Sequence, residues 1–241
     1  MTRRGVIAAV MGSAIAGHIL LGVVAGGAAL TAIRAWAAPP AEPVFPAPAR
    51  PVSPIVSPRW STERARNDAG EARTVMAALA PLNGRTVADI GAGEGYYEPP
   101  LARAVGRNGH VIAEDIDAAT VTRLARRVRP LANVSARLGR PDDAALAPAS
   151  VDVVLMVHMY HEIGEPYALL WRLRRSLRVG GRIAIVDADR PSGEHGTPPQ
   201  LLACELGAIG YARTSSRPLG DGVYLAIFEP RALPDTIRVC R

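Results

Sequence analysis

The chain contains no lysine: all 28 of its Lys+Arg residues are arginine. That excludes Schiff-base chemistry, a lysine general base and the lysine of a phosphate-binding loop. Cysteine is nearly absent. Cys204 and Cys240 are the only two, which does not make a disulfide framework. Cys204 falls in a helical pattern and reads as a small buried apolar residue. A concentrated basic stripe is also missing. Residues 1–60 hold five Arg and one Glu, so +4 of the formal +6 lies there and +2 is left for the remainder. Arg231, Arg238 and Arg241 are too few and too scattered to track a polyanion, so nucleic acid is not an expected partner.

Charge is missing altogether from Gly5 to Ile33, with His18 taken as neutral. That run exceeds the roughly 20 residues that cross a bilayer and the roughly 7–15 of a signal-peptide core. Arg3 and Arg4 precede it, and Arg34 and Trp36 follow. The expectation is a membrane anchor or signal segment over residues 1–38, helical and spanning once if it is retained. Ala35-Trp36-Ala37-Ala38 offers a cleavage site for the rival reading, a leader that is removed. Thr2-Arg3-Arg4 faintly matches a twin-arginine signal, and a plain hydrophobic helix is the third alternative. Residues 39–60 are proline-dense and read as a semi-rigid polyproline II spacer. Residues 61–241 are about one domain in size. The arginines before the run place the amino terminus inside and the domain outside; Arg34, Arg50 and Arg59 partly balance them and leave the side open.

What is present is concentrated in Val87-Ala88-Asp89-Ile90-Gly91-Ala92-Gly93-Glu94-Gly95-Tyr96-Tyr97. An apolar strand ends in acid, and alternating glycines then allow a tight turn and close approach of backbone to a ligand. A dinucleotide fingerprint reads G-x-G-x-x-G. Here the third glycine comes one residue early, and Asp89 and Glu94 would repel a pyrophosphate. The acids suit a cationic ligand without phosphate.

In these residues the chain resembles the class I S-adenosylmethionine-dependent methyltransferases, and more narrowly small bacterial methyltransferases of undefined substrate that share a D-I-G-A-G-x-G-Y-Y loop and a Y-H-x-I/F turn. The likeness runs from about Ser61 to Pro230. It implies an α/β, Rossmann-like, doubly wound and mostly parallel seven-stranded sheet with a terminal antiparallel hairpin. It also implies S-adenosylmethionine as cofactor, held by Asp89, Gly91, Ala92, Gly93 and Gly95. A second strand, His110–Asp115, ends in acid. The resemblance makes Asp115 the ribose ligand beside Ile116, with Glu114 and Asp117 as alternatives because a one-residue shift exchanges faces. Asp142 or Asp143, after a third strand Val134–Leu138, would take the adenine amino group; a turn or helix-cap role is the competing use.

The apolar run Val151–Val157 reads as a buried parallel strand that empties into His158-Met159-Tyr160-His161-Glu162. The family's amino-methylating members carry an Asn/Asp-Pro-Pro-Tyr sequence here, which this chain lacks. Some members instead use a histidine base, so His158, His161 and Tyr160 are the catalytic candidates. No second ligand cluster with suitable spacing follows, so no metal site is expected. Helices are expected over Arg64–Ala80 (covering the entrance), Pro166–Leu177 and Thr197–Gly210. A fifth strand is expected over Arg182–Asp187, and a hairpin from Tyr211–Ser216 and Val223–Glu229. Asp187, Glu194 and His195 could shape an acceptor pocket.

The expected activity is methyl transfer to a small-molecule or lipid-like acceptor near a bacterial inner membrane. A periplasmic or secreted enzyme follows if the leader is cleaved. The alternative is a non-catalytic cofactor-binding sensor or scaffold in the envelope. An NAD-dependent oxidoreductase is disfavoured by the early third glycine and by Glu94.

Overall fold

A computed structural model describes residues 42–55 and 62–241. The Gly5–Ile33 run and the anchor, leader and helix readings of it lie outside the described residues. Among the described residues, no helix is long and apolar enough to cross a membrane.

Residues from Pro43 onward form one compact unit. The strands are β1 (Thr86–Ile90), β2 (His110–Asp115), β3 (Val134–Leu138), β4 (Val151–Val157), β5 (Leu177–Ala188), β6 (Tyr211–Gly220) and β7 (Val223–Pro230). They lie in the order β3-β2-β1-β4-β5-β7-β6. The first five are parallel neighbours, and β7 runs antiparallel to both β5 and β6. The expected mixed seven-stranded sheet is therefore present. The strand order reverses between β1 and β4, and the carboxyl ends of those strands open a crevice there.

Alternation along the central strands explains the layers. Ala88, Val154, Met156, Ile183 and Ile185 face one side, packed with Leu169, Leu170, Leu202 and Leu206. These last four come from α5 (Pro166–Ser176) and α6 (Pro199–Ala208). Val87, Val153, Leu155, Ala184 and Val186 face the other side with Val75, Leu79, Leu101 and Val105, from α2 (Glu71–Leu79) and α3 (Glu98–Val105). Each large side chain withdrawn from water contributes about 1.5–3 kcal/mol. α4 (Ala118–Val128) adds Leu124 and Val128 over Ala113. Pro99 and Pro100 sit in the first turn of α3, where a missing N–H costs no helical bond.

Several expectations need correction. The helix foreseen over Arg64–Ala80 is two helices, α1 (Glu63–Asp68) and α2, broken where Gly70 takes φ +66°. β5 begins at Leu177, not Arg182, because Leu177 pairs with Val151 ahead of a bulge. The described part of the proline-rich segment is not a free spacer: Arg50 and Ser53 are buried against the domain, and Phe45 packs near Trp171. Cys204 is exposed, not buried, and is bonded to Cys240. The chain's only two cysteines thus close a disulfide between α6 and the carboxyl-terminal tail. Closing a loop of that length contributes about 2–4 kcal/mol. Reduction, or Cys240→Ser, should lower the unfolding free energy by that amount in a denaturant titration; an unchanged midpoint would show that the tail is not held.

Candidate functional site

Gly91, Gly93 and Gly95, just past β1, have φ of +69°, +58° and +89°. All three need the left-handed region, but their surroundings differ. A Cβ on Gly91 would approach Met159 Cγ to 2.9 Å, and one on Gly95 would approach Leu124 Cδ1 to 2.8 Å. A Cβ on Gly93 meets nothing within 4 Å among the described residues. Two of the glycines therefore allow packing, and Gly93 leaves an open face. Gly93→Ala should cost about 1–2 kcal/mol of stability from backbone strain alone. Gly95→Ala should cost about 1–3 kcal/mol more from overpacking. Parallel denaturation curves check this, and equal losses would contradict it.

The end of β2 is tied to this loop. Ala92 N donates to the Glu114 carbonyl at 2.8 Å. Gly93 N donates to Asp115 Oδ2 at 3.0 Å, and Asp117 N donates to Asp115 Oδ1 at 2.9 Å. Asp115 thus stands beside the open glycine. Its alternatives are used elsewhere. Asp117 caps α4 by accepting from Thr120 N. Glu114 is 1% exposed and turned under the loop; burial pushes its carboxyl up to about 8. Ile116 is exposed next to Asp115, and so is Leu138, the β3 partner of Asp115. Two apolar side chains therefore stand bare at the carboxyl ends of β2 and β3.

Asp89 and Glu98 lie buried beneath the loop. Burial raises both carboxyls, Glu98 to about 7, and the neighbouring Glu98 raises Asp89 further. The two carboxyls share a hydrogen bond with each other, and among the described residues no other side chain donates to Glu98. The sequence reading missed Glu98. Its signal was an acid directly before two prolines in the turn after the glycines. Glu94, by contrast, is exposed and pairs with Arg123 at 3.3 Å.

Asp142 and Asp143 are both occupied. Asp142 accepts from Arg172. Asp143 accepts from Arg140 Nη2 at 2.7 Å and from Ala145 N at 2.8 Å, a turn-forming role. Each side chain keeps about a quarter of its surface exposed.

The three residues after β4 separate. His158 is held at φ +53°. Its Nε2 lies 2.8 Å from Glu71 Oε2, with a quarter of the side chain exposed. Glu71, on α2, also accepts from Tyr97 Oη at 2.9 Å and from Arg66. Burial works to raise the Glu71 carboxyl, but hydrogen bonds and charge from His158 and Arg66 outweigh it and hold it near about 2. Tyr160 is fully buried in the core, and its hydroxyl donates to Glu205 at 2.8 Å. Burial drives its pKa upward, so the structure does not bring it to the site. His161 is buried, and its Nδ1 lies 2.9 Å from Asp187 Oδ1. Glu162 and His195 lie near it, with ligating atoms of all three within 4.8 Å of one another. His195 arrives here from the loop after β5.

Residues 87–181 match a family model described as a methyltransferase domain. An arsenite methyltransferase of Halobacterium salinarum is 34% identical over 139 residues, 55% of this chain and 35% of that protein. An uncharacterized methyltransferase of Mycobacterium tuberculosis is 32% identical over 124 residues, 51% of this chain and 60% of that protein. The chain thus spans about a third to three fifths of the length of these relatives. A crystal structure of a SAM-dependent methyltransferase from Aquifex aeolicus superposes with a TM-score of 0.64 at 24% identity, covering 68% of this chain and 92% of that one. Residues 87–181 thus resemble a methyltransferase domain, and the sheet with its flanking helices has the fold of a solved SAM-dependent methyltransferase.

Proposed function

We propose that the chain transfers the sulfonium methyl of S-adenosylmethionine to a small-molecule acceptor, with Asp115 and the open face of Gly93 holding the nucleoside. The observation that carries the proposal is the combination at one loop: a backbone stripped of Cβ and clear above Gly93, ringed by buried acids. The residues fit the cofactor. Glu98 and Asp89, a buried acid pair that an adjacent cation would help to ionise, suit an ammonium group and give no favourable partner to a diphosphate. Ile116 and Leu138 offer apolar faces to a purine, and Asp142 or Asp143 offers an acceptor to its amino group. When bound, S-adenosylmethionine supplies an electrophilic methyl group on sulfur. The chain's contribution is to align two reactants and exclude water.

His158 is the base in this reading, and Glu71 positions it. A neutral imidazole there can take the proton of an acceptor hydroxyl or amine, and the Glu71 carboxylate stabilises the imidazolium that results. His158→Ala should lower kcat by about 10²–10⁴-fold with little change in cofactor affinity, read by transfer of labelled methyl. Unchanged turnover would remove the base assignment. Saturable binding with no transfer to any component of a lysate would favour the sensor role.

The acceptor is a separate matter. Trivalent arsenic is a soft centre that prefers thiolates, and both cysteines of this chain are joined in a disulfide. The acceptor named for the Halobacterium protein is therefore not carried over. The uncharged Gly5–Ile33 run supports a lipid-like acceptor at a membrane. Fractionation of cells expressing the full chain tests this, and recovery in the soluble fraction would count against it.

The buried acids give a pH dependence. Glu98 and Glu114 have folded pKa values raised to about 7 and about 8. The folded state therefore binds more protons than the unfolded chain between the ordinary carboxyl range and those values. Stability of the cofactor-free protein should fall as pH rises through that window. The cation of the cofactor favours the ionised acids, so its stabilising effect should grow over the same window. Thermal unfolding from pH 5 to 8, with and without S-adenosylmethionine, reads both; a cofactor effect that shrinks with pH would contradict the assignment.

A further inference from the structure

We infer that His161, Glu162 and His195 form a binding site for a divalent first-row metal ion of the zinc class. His161 lies in the short 3₁₀ turn Tyr160–Glu162 after β4, and His195 closes a second such turn, Ser192–Glu194, after β5. Both turns lie at the carboxyl edge of the sheet. The ligating atoms of the three residues already lie within 4.8 Å of one another. A tetrahedral zinc ion with bonds of about 2.0–2.2 Å needs its ligands about 3.4 Å apart. The cluster would close by roughly 1 Å or slightly more.

The group behind His161 is what distinguishes this cluster from a chance meeting of polar residues. Asp187 is fully buried. Its Oδ1 accepts from Ala188 N at 2.8 Å and lies 2.9 Å from His161 Nδ1, and its Oδ2 accepts from Thr197 Oγ1 at 2.8 Å. Asp187 is thus fixed in place, and the 2.9 Å contact orients the His161 ring with Nδ1 toward it and Nε2 away from it. Nε2 is then presented to Glu162, whose Oε1 lies 3.9 Å away. A carboxylate behind a histidine that fixes its tautomer and strengthens it as a ligand is how protein metal sites are supported.

The second histidine is also placed by construction. His195 sits at φ +59°, with its ring 5.6 Å from that of His161 and nearly perpendicular to it. Ser53 ties the two turns together: its N donates to the His161 carbonyl at 3.1 Å, and its Oγ accepts from His195 N at 3.2 Å. Two histidines and one carboxylate leave a coordination position for water or an acceptor oxygen.

The test uses untagged full-length protein stripped with a chelator and titrated with Co²⁺ and Zn²⁺. Wild-type protein should bind one equivalent, with the visible absorption of tetrahedral Co²⁺ bleached by Zn²⁺. Asp187→Asn should weaken Zn²⁺ binding by about 10–100-fold, and His195→Ala and Glu162→Gln by more than that. Circular dichroism identifies any variant that fails to fold; His195→Ala and Glu162→Gln, outside the core, carry the decision if Asp187→Asn does. Absence of a stoichiometric ion in wild-type protein, or equal affinity in folded His195→Ala and Glu162→Gln, would overturn the site.

Discussion

Arg50→Ala should destabilise the protein by about 3–5 kcal/mol, the loss expected when one partner of a buried ion pair is removed. The Arg50 and Glu205 side chains are 3% and 0% exposed. Arg50 Nε donates to both Glu205 oxygens, at 3.0 and 3.2 Å, and its Nη atoms reach the carbonyls of Tyr160, His161 and Ile163 at 3.3 Å. Tyr160 completes the set through its bond to Glu205. Truncation strands the Glu205 carboxylate in the core and takes a donor from three carbonyls after β4; those of Tyr160 and His161 keep Ile163 N and Ser53 N, and that of Ile163 loses its guanidinium partner. A domain is stable by only about 5–15 kcal/mol, so the loss is a large fraction of the whole. Replacing both members with apolar residues, Arg50→Met with Glu205→Leu, should recover much of it, because a buried pair adds little over a packed apolar contact. Denaturant unfolding of the two variants checks both statements. A loss below about 1 kcal/mol in Arg50→Ala would mean the pair behaves as an exposed one, and that the proline-rich segment is not docked.

Asp115→Ala should weaken S-adenosylmethionine binding about a hundredfold. A carboxylate hydrogen bond to a ligand hydroxyl contributes about 1.5–3 kcal/mol, and two ribose hydroxyls are in question. The same carboxylate holds Gly93 N and Asp117 N, so its removal also loosens the loop that the ligand must meet. Asp115→Asn separates these effects. An amide keeps the shape and one acceptor oxygen but loses the charge, so it should fall between wild type and alanine. Calorimetry on the three proteins decides the matter, and equal affinity across them would move the ribose elsewhere.

Much of this was legible in the chain. β2, β3 and β4 match their expected limits because turn residues or an acid bound each of them, which leaves little freedom in where a strand stops. The glycine loop was legible because three positive φ angles admit few other residues. That Asp115 meets Gly93 N while Glu114 is buried follows from strand alternation once the register is fixed, which sequence alone does not fix. What stayed hidden is long-range. Arg50 meets Glu205 across 155 positions, and nothing local in a proline-rich segment marks one arginine for burial. Glu71 meets His158 across 87 positions. The disulfide and the approach of His195 to His161 depend likewise on how β5, α6 and the tail return to the sheet edge. Tyr160 was misread because its neighbours in sequence are at the site, whereas its side chain points the other way, into the core.

Buried acids around an open glycine turn should hold a cationic nucleoside in preference to a diphosphate. Calorimetric titration of the full-length protein with S-adenosylmethionine, and separately with NAD, tests it most directly. Saturable one-to-one binding of the sulfonium compound with no heat from NAD is the predicted result. Binding of NAD with none of S-adenosylmethionine would contradict it.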